Sequence, residues 1–199
     1  MGETIAFGSR RGYLSCPEMG AGPPVIVIPD GPGVADHIQT LCDRFAAEGF
    51  TALAPDLQDG RTAEDLAAAI EFLKPHPAVR GQGIGVVGFL LGAGLALWLA
   101  THRPEDIVAV VAYSGTVPVG AEQPDWSRLT AAVEGHFGEE DPACPPDVIA
   151  AFEEALGEAG ATVECFTYPT VGARFYEDDE DAARQAWIRT LEFLRKHLG

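Results

Sequence analysis

Gly83-Ile84-Gly85-Val86-Val87-Gly88-Phe89-Leu90-Leu91-Gly92-Ala93-Gly94 decides how this chain is read. Ile84 to Val87 is a short, mostly β-branched run, the signature of a strand buried on both faces. It ends at Gly88 and passes into an apolar helix, Leu91 to His102. A strand that enters Gly-x-X-x-Gly and then a helix has the layout of a nucleophile elbow. The central position of such a turn carries Ser or Cys. Here it carries Leu90, so the scaffold is expected without the reacting atom.

Two rival readings apply to the same residues. Gly83 to Gly88 matches G-x-G-x-x-G, but a dinucleotide fingerprint follows a strand and opens a helix. Here Val86 and Val87 are themselves the strand. The plain reading is a strand-to-helix crossover whose small residues let the helix lie close to the sheet.

Working outward, strands and helices alternate. Glu3 to Phe7 and Gly12 to Cys16 flank a turn and read as a hairpin. Val25 to Ile28 reads as a central parallel strand, followed by a loop at Pro29 to Gly33. Asp36 is expected to cap a helix running to about Glu48. Thr51 to Ala54 is the next strand, and Thr62 is expected to cap a helix over Ala63 to Leu73. Ile107 to Tyr113 is a strand, Ser114 to Arg128 a loop, and Thr130 to Phe137 a strand. Pro146 to Ala159 is a helix and Thr162 to Tyr168 the last strand. A helix from about Glu180 to His197 closes the chain with Ala183, Ala186, Trp187, Leu191 and Leu194 inward. The pattern predicts one α/β domain over residues 1–199 with a doubly wound, mainly parallel sheet flanked by helices. Ligands of such sheets sit at the carboxyl ends of the strands.

Composition narrows the function classes. The chain has 199 residues, is 47% hydrophobic and carries a formal net charge of −17. That charge repels phosphate backbones and anionic membranes, so neither nucleic acid nor membrane is an expected partner. The expected partner is a small-molecule ligand or substrate, with the protein a monomer or homodimer in the cytoplasm. Met1 to Arg11 lacks the apolar core of a signal peptide. The four cysteines show no CxxC spacing and are expected as free thiols. The acidic runs Glu139 to Asp141 and Glu177 to Asp181 read as solvated loops. The second lacks the Gly and spacing of a calcium loop, so no metal and no cofactor is expected.

Taken together, the segments resemble the dienelactone hydrolase family, the carboxymethylenebutenolidase-like branch of the α/β-hydrolase fold. The resemblance rests on five stretches in family order. They are Val25 to Gly33, Glu48 to Leu57 with its Ala-Pro-Asp-Leu end, Gly85 to Gly92, Gly135 to Asp141, and Tyr168 to Phe175. The resemblance implies that fold without a lid domain. It also implies where the chemistry departs from the family pattern. Leu90 stands in the nucleophile slot and Ala173 in the histidine slot. Asp141 fills the acid slot, and Asp30 replaces a longer glutamate. Leu91 would still offer its backbone N–H as an oxyanion donor.

A leucine has no lone pair and an alanine takes no proton, so the covalent acyl-enzyme route is closed at this site. Three functions remain. The first is binding of a small hydrophobic or carboxylate-bearing molecule with non-covalent acid–base chemistry: isomerisation, cyclisation, dehydration or lyase chemistry. Its candidate catalytic residues are Asp141, Asp30 and His37, with Phe89, Leu91, Tyr113 and Arg174 as ligand contacts. Asp30 and Asp141 are expected to face one cleft with Leu90 between them. The second is a catalytically silent relative that binds a ligand or partner. The third is weak ester or lactone hydrolysis by water activated by Asp141 or His37. His136 is expected as a hydrogen-bonded core residue, His37 as a solvated first-turn residue, and Cys144 as a loop thiol. Leu90 is expected either to keep a strained elbow as the apolar wall of a pocket, or to sit in a relaxed turn with no pocket.

Overall fold

The computed structural model describes residues 2–31, 33–57, 62–116 and 123–199. Pro32, and residues 117–122 of the loop expected after Tyr113, lie outside them. The chain runs β1 (Glu3–Phe7), β2 (Arg10–Ser15), β3 (Pro24–Ile28), α1 (Asp36–Ala47), β4 (Thr51–Pro55), α2 (Thr62–Leu73), β5 (Ile84–Phe89), α3 (Leu91–His102) and β6 (Ile107–Tyr113). A 3₁₀ turn (Trp126–Arg128) precedes β7 (Ala132–Gly138), α4 (Pro146–Glu158), β8 (Val163–Tyr168), α5 (Phe175–Asp178) and α6 (Glu180–Leu198).

The strands form one eight-stranded sheet in the order β1-β2-β4-β3-β5-β6-β7-β8. The hairpin β1–β2 is antiparallel and joins β4 antiparallel. From β4 through β8 every pairing is parallel. The expected doubly wound, mainly parallel sheet is present, with no lid domain among the described residues.

Alternation along each strand sorts the core into two layers. Ile26, Val86, Val110 and Val133 pack under α2, α3 and α4. Val25, Val27, Val87, Phe89, Val111 and Tyr113 pack under α1, α5 and α6. β5 is buried along its whole length, which explains its apolar run. Two glycines bring α3 onto it. A Cβ on Gly88 would lie 2.1 Å from the Gly92 carbonyl oxygen, and one on Gly92 would lie 2.4 Å from that of Ile28. Close packing by small residues is therefore real here, and so is the elbow. The strand runs straight through the G-x-G-x-x-G match, which removes the dinucleotide reading.

Several boundaries differ from expectation. Ala35, with ψ 162°, is the N-cap of α1, and Asp36 is the first helical residue with no capping hydrogen bond. Its charge there favours the amino end of the helix electrostatically. α2 begins at Thr62 itself. Glu177 to Asp181 is two helix ends joined at Asp179 rather than a loop. Glu177 and Asp178 belong to α5, and Asp179 caps α6 by accepting the Ala182 N–H at 2.7 Å. The short α5 and the 3₁₀ turn carry too few residues to show a period.

The hairpin is fixed to α1 by one carboxylate. Asp43 accepts the Gly2 N–H and the Ser15 hydroxyl at 2.7 Å each, and the Tyr13 hydroxyl at 3.2 Å. Burial opposes its charge, but the hydrogen bonds from Ser15, Gly2 and Tyr13 leave it below its ordinary carboxylate value.

Candidate functional site

The elbow is intact in backbone. Leu90 has φ 51° and ψ −112°, a conformation that costs a bulky residue about 1–3 kcal/mol. The turn is held from both sides: the Leu90 N–H donates to the Tyr113 carbonyl at 2.8 Å, and its own carbonyl accepts the Ala93 N–H at 3.1 Å. The neighbouring strand ends in a second strained residue, Ser114, with φ 51°. Gly115 follows because a Cβ there would lie 2.5 Å from the Leu90 carbonyl oxygen. Leu90 is half-buried and Leu91 is 53% exposed.

The loops after β7 and β8 complete this end of the sheet. Asp141 follows β7 and is buried. Its Oδ1 accepts the Ala143 N–H at 2.9 Å, while its Oδ2 is buried without a well-formed hydrogen bond. Cys144, also buried, lies in the same loop; burial first, then the Asp141 charge, pushes its thiol up to about 12. It is a protonated loop thiol, as expected, and all four cysteines are free. Ala173 is half-buried in the turn before α5. The Ser114 hydroxyl is likewise buried and unpartnered. Two orphaned polar atoms at the carboxyl ends of adjacent strands were invisible in the sequence, because a Ser after a strand reads as a turn residue.

A cavity of about 310 Å³ opens at the same edge of the sheet, but on the α1–α6 face. Val87, Phe89 and Tyr113 form its floor, α1 contributes Ile38, Leu41 and Phe45, and Tyr176 and Trp187 close it. Asp30, His37, Arg44 and Glu177 supply its charged and titratable groups. The aromatic rings support one another. Phe89 stacks on Tyr113 at 4.8 Å, Tyr176 leans on Phe89 at 4.8 Å, and Phe45 meets Trp187 at 4.7 Å. The Tyr176 hydroxyl is buried and unpartnered, and burial raises it above its ordinary value.

This arrangement corrects two expectations. Asp30 lines the cavity but Asp141 does not, so the two acids do not face one cleft there. The physical reason is local: Asp141 is turned into its own loop by the Ala143 N–H, while Asp30 is drawn across to Arg174. Leu90 fits neither of its two expected states. The strained turn is kept, but the wall that β5 gives the cavity is Val87 and Phe89. Of the expected ligand contacts, Phe89 and Tyr113 line the cavity and Leu91 and Arg174 do not. Arg174 instead bridges Asp30 and Glu177, and the Asp30 contact, first among the causes, raises its pKa. His37 is exposed in the first turn of α1, as expected, and reaches the cavity rim. Among the described residues no group of three metal-ligating side chains comes together.

Below the cavity floor lies a satisfied buried network. The His136 Nε2 is 2.9 Å from Glu134 Oε1 and 3.2 Å from the Thr190 hydroxyl, and its Nδ1 is 2.9 Å from the Tyr168 hydroxyl. Arg189 donates to that same Tyr168 oxygen at 3.0 Å, and Tyr113 meets Thr190 at 2.8 Å. Burial lowers the His136 pKa against the pull of Glu134. His136 is thus the hydrogen-bonded core residue the sequence suggested. Glu134 was missed, because a lone acid within a strand reads as solvent-facing.

An elbow after β5, an acid after β7 and helices on both faces of this sheet define an α/β-hydrolase-fold protein. The chain belongs to the dienelactone hydrolase family: the family profile matches residues 11–65 and 58–198. The Bradyrhizobium sp protein named "Probable 2-oxo-3-(5-oxofuran-2-ylidene)propanoate lactonase" is 30% identical, across 96% of this chain and 90% of its own. Protein usf of Aquifex pyrophilus is 27% identical across the whole of both chains. Among solved structures, a Klebsiella pneumoniae subsp. pneumoniae MGH 78578 chain assigned to dienelactone hydrolase superimposes with a TM-score of 0.86 at 24% identity, covering 99% of each. The dienelactone hydrolase-like promiscuous phosphotriesterase P91 from metagenomic libraries follows at 0.82 and 21% identity, covering 100% of this chain and 98% of its own. At these identities the superpositions speak to the fold. No helix among the described residues is long and apolar enough to cross a membrane.

Proposed function

We propose that this protein binds a compact, largely apolar molecule in the cavity between α1 and α6, and that it does not hydrolyse esters through a covalent intermediate. One observation carries the reading. The ring-lined cavity lies against Phe89 and Tyr113, while the elbow beside it presents Leu90. Small-molecule sites are apolar hollows with a few placed polar groups, and about 310 Å³ is at the lower end of their range. The elbow offers no group that attacks a carbonyl, and the family resemblance gives the base's position to Ala173.

Acid–base turnover of the bound molecule is a second reading, favoured by one observation: Asp30 and His37 share the cavity rim. It covers isomerisation, cyclisation, dehydration and elimination, none of which needs a nucleophile. The relatives named above include a lactonase and a phosphotriesterase, so this chemistry stands on the site alone.

Burst kinetics with p-nitrophenyl acetate test the first reading. The expected result is no burst and a steady rate unchanged by Asp141→Asn. A stoichiometric burst overturns the non-covalent reading. A burst-free rate that disappears in Asp141→Asn points instead to hydrolysis by activated water. Ala183→Phe, which fills the cavity from α6, is expected to abolish ligand binding while leaving the melting temperature within a few degrees.

A further inference from the structure

We infer that Arg44, carried on α1 and laid over Trp187, reads the charge of the cavity's ligand, and that the ligand class is a compact aromatic monocarboxylate. This assignment rests on the binding reading above and gives it a chemistry.

The argument starts from the charges around the cavity. Asp30, Glu177 and Arg44 line it. Asp30 and Glu177 share one cation, Arg174, which lies outside the lining. Arg44 has no such partner: among the described residues no carboxylate lies within ion-pair distance of its guanidinium.

Its setting is also prepared. The Arg44 guanidinium lies 4.1 Å from the centroid of the Trp187 ring, which leaves the N–H edge free to point elsewhere. Trp187 is in turn held by Phe45 at 4.7 Å. A planar fork fixed on an aromatic face loses little freedom when it grips a carboxylate with two parallel hydrogen bonds. The rest of the lining selects the body of the ligand. Phe89, Tyr113 and Tyr176 present ring faces and edges, which suit a flat aromatic ring.

Calorimetric titration with cinnamate and its isosteric neutral counterpart, cinnamamide, tests the assignment on the full chain. Wild-type protein is expected to bind cinnamate about tenfold more tightly, the effect of one charge-assisted pair. Arg44→Gln is expected to bring the two within about twofold by weakening cinnamate alone. Arg44 is exposed on α1, so the variant is expected to fold, and its melting temperature checks this. Equal binding of both compounds by the wild type overturns the assignment while the cavity reading stands. So does a preference that persists in Arg44→Gln, which would pass the role to another cation. If neither compound binds the wild type, the cavity reading fails and this assignment fails with it.

Discussion

The carboxyl ends of β5 to β7 are finished in two different ways on the two sides of the sheet's edge. At the elbow, polar atoms are left over: Asp141 Oδ2 and the Ser114 hydroxyl are buried without partners, beside a strained Leu90. Under the cavity, every buried polar side chain of the Glu134–His136–Thr190–Tyr113 chain has a partner. Orphaned groups and strain persist where a structure was shaped for something other than stability. Satisfied networks fix one arrangement of a core. The elbow therefore keeps strain and unpaired polar atoms, while the network under the cavity holds one arrangement; in the cavity wall itself the Tyr176 hydroxyl is also left unpaired.

The difference can be broken most sharply by placing reactive groups at the elbow. The double variant Leu90→Cys with Ala173→His supplies a thiol on the strained turn and an imidazole in the turn before α5. It is expected to hydrolyse p-nitrophenyl acetate at least about 100-fold faster than wild type, with each single variant gaining little, because such residues act as a unit. A flat response would mean that the three positions do not converge.

Stability measurements sharpen the same contrast. Glu134→Ala leaves a buried neutral histidine without its hydrogen-bond partner and is expected to cost about 1–3 kcal/mol by urea unfolding. Asp141→Ala removes one backbone hydrogen bond and an unpaired oxygen, and is expected to cost about 1 kcal/mol or less. Equal costs would erase the distinction between the two regions.

A smaller effect comes from pH. Burial lowers the His136 pKa in the folded state, so folding disfavours its proton. Above the unfolded value of about 6.5 the group is neutral in both states and exacts no penalty. As pH falls below that, the unfolded chain takes up a proton that the native state resists, and stability declines. His197, lowered first by burial, acts in the same direction. His136→Gln is expected to flatten part of the slope of unfolding free energy between pH 7 and 5. The smallest change is Leu90→Gly. It relieves the positive φ but gives up side-chain packing and rigidity in the unfolded chain, for a net gain of about 1 kcal/mol or less.

How much of this was legible beforehand depends on what each residue's signal was. The sheet and α3 were readable because β5 and β6 are β-branched runs and the Gly spacing around Leu90 is distinctive. Leu90 and Ala173 could be picked out only through the family resemblance, since neither has chemistry of its own to announce. The cavity was hardly readable. Trp187 was visible as an inward residue of the last helix, and Arg44 falls three positions after Leu41 at the edge of α1's apolar stripe. Nothing in the linear order brings those two helices together; the sheet order does. Asp30 and Asp141 show the converse. Both were found, but the direction each carboxylate faces is set by partners far away in sequence, Arg174 in one case, or by loop geometry in the other.

The Asp43 junction has a mechanical consequence. α1 presents His37, Leu41 and Arg44 to the cavity, while Asp43, one residue from Arg44, is bolted to Gly2, Tyr13 and Ser15 of the amino-terminal hairpin. The hairpin lies at the far edge of the sheet, yet it acts as the bracket on which one jaw of the cavity is mounted. Loosening that bracket with Asp43→Asn would let the jaw rock without touching a single cavity residue. Its signature would be a faster release of ligand with little change in the rate of capture.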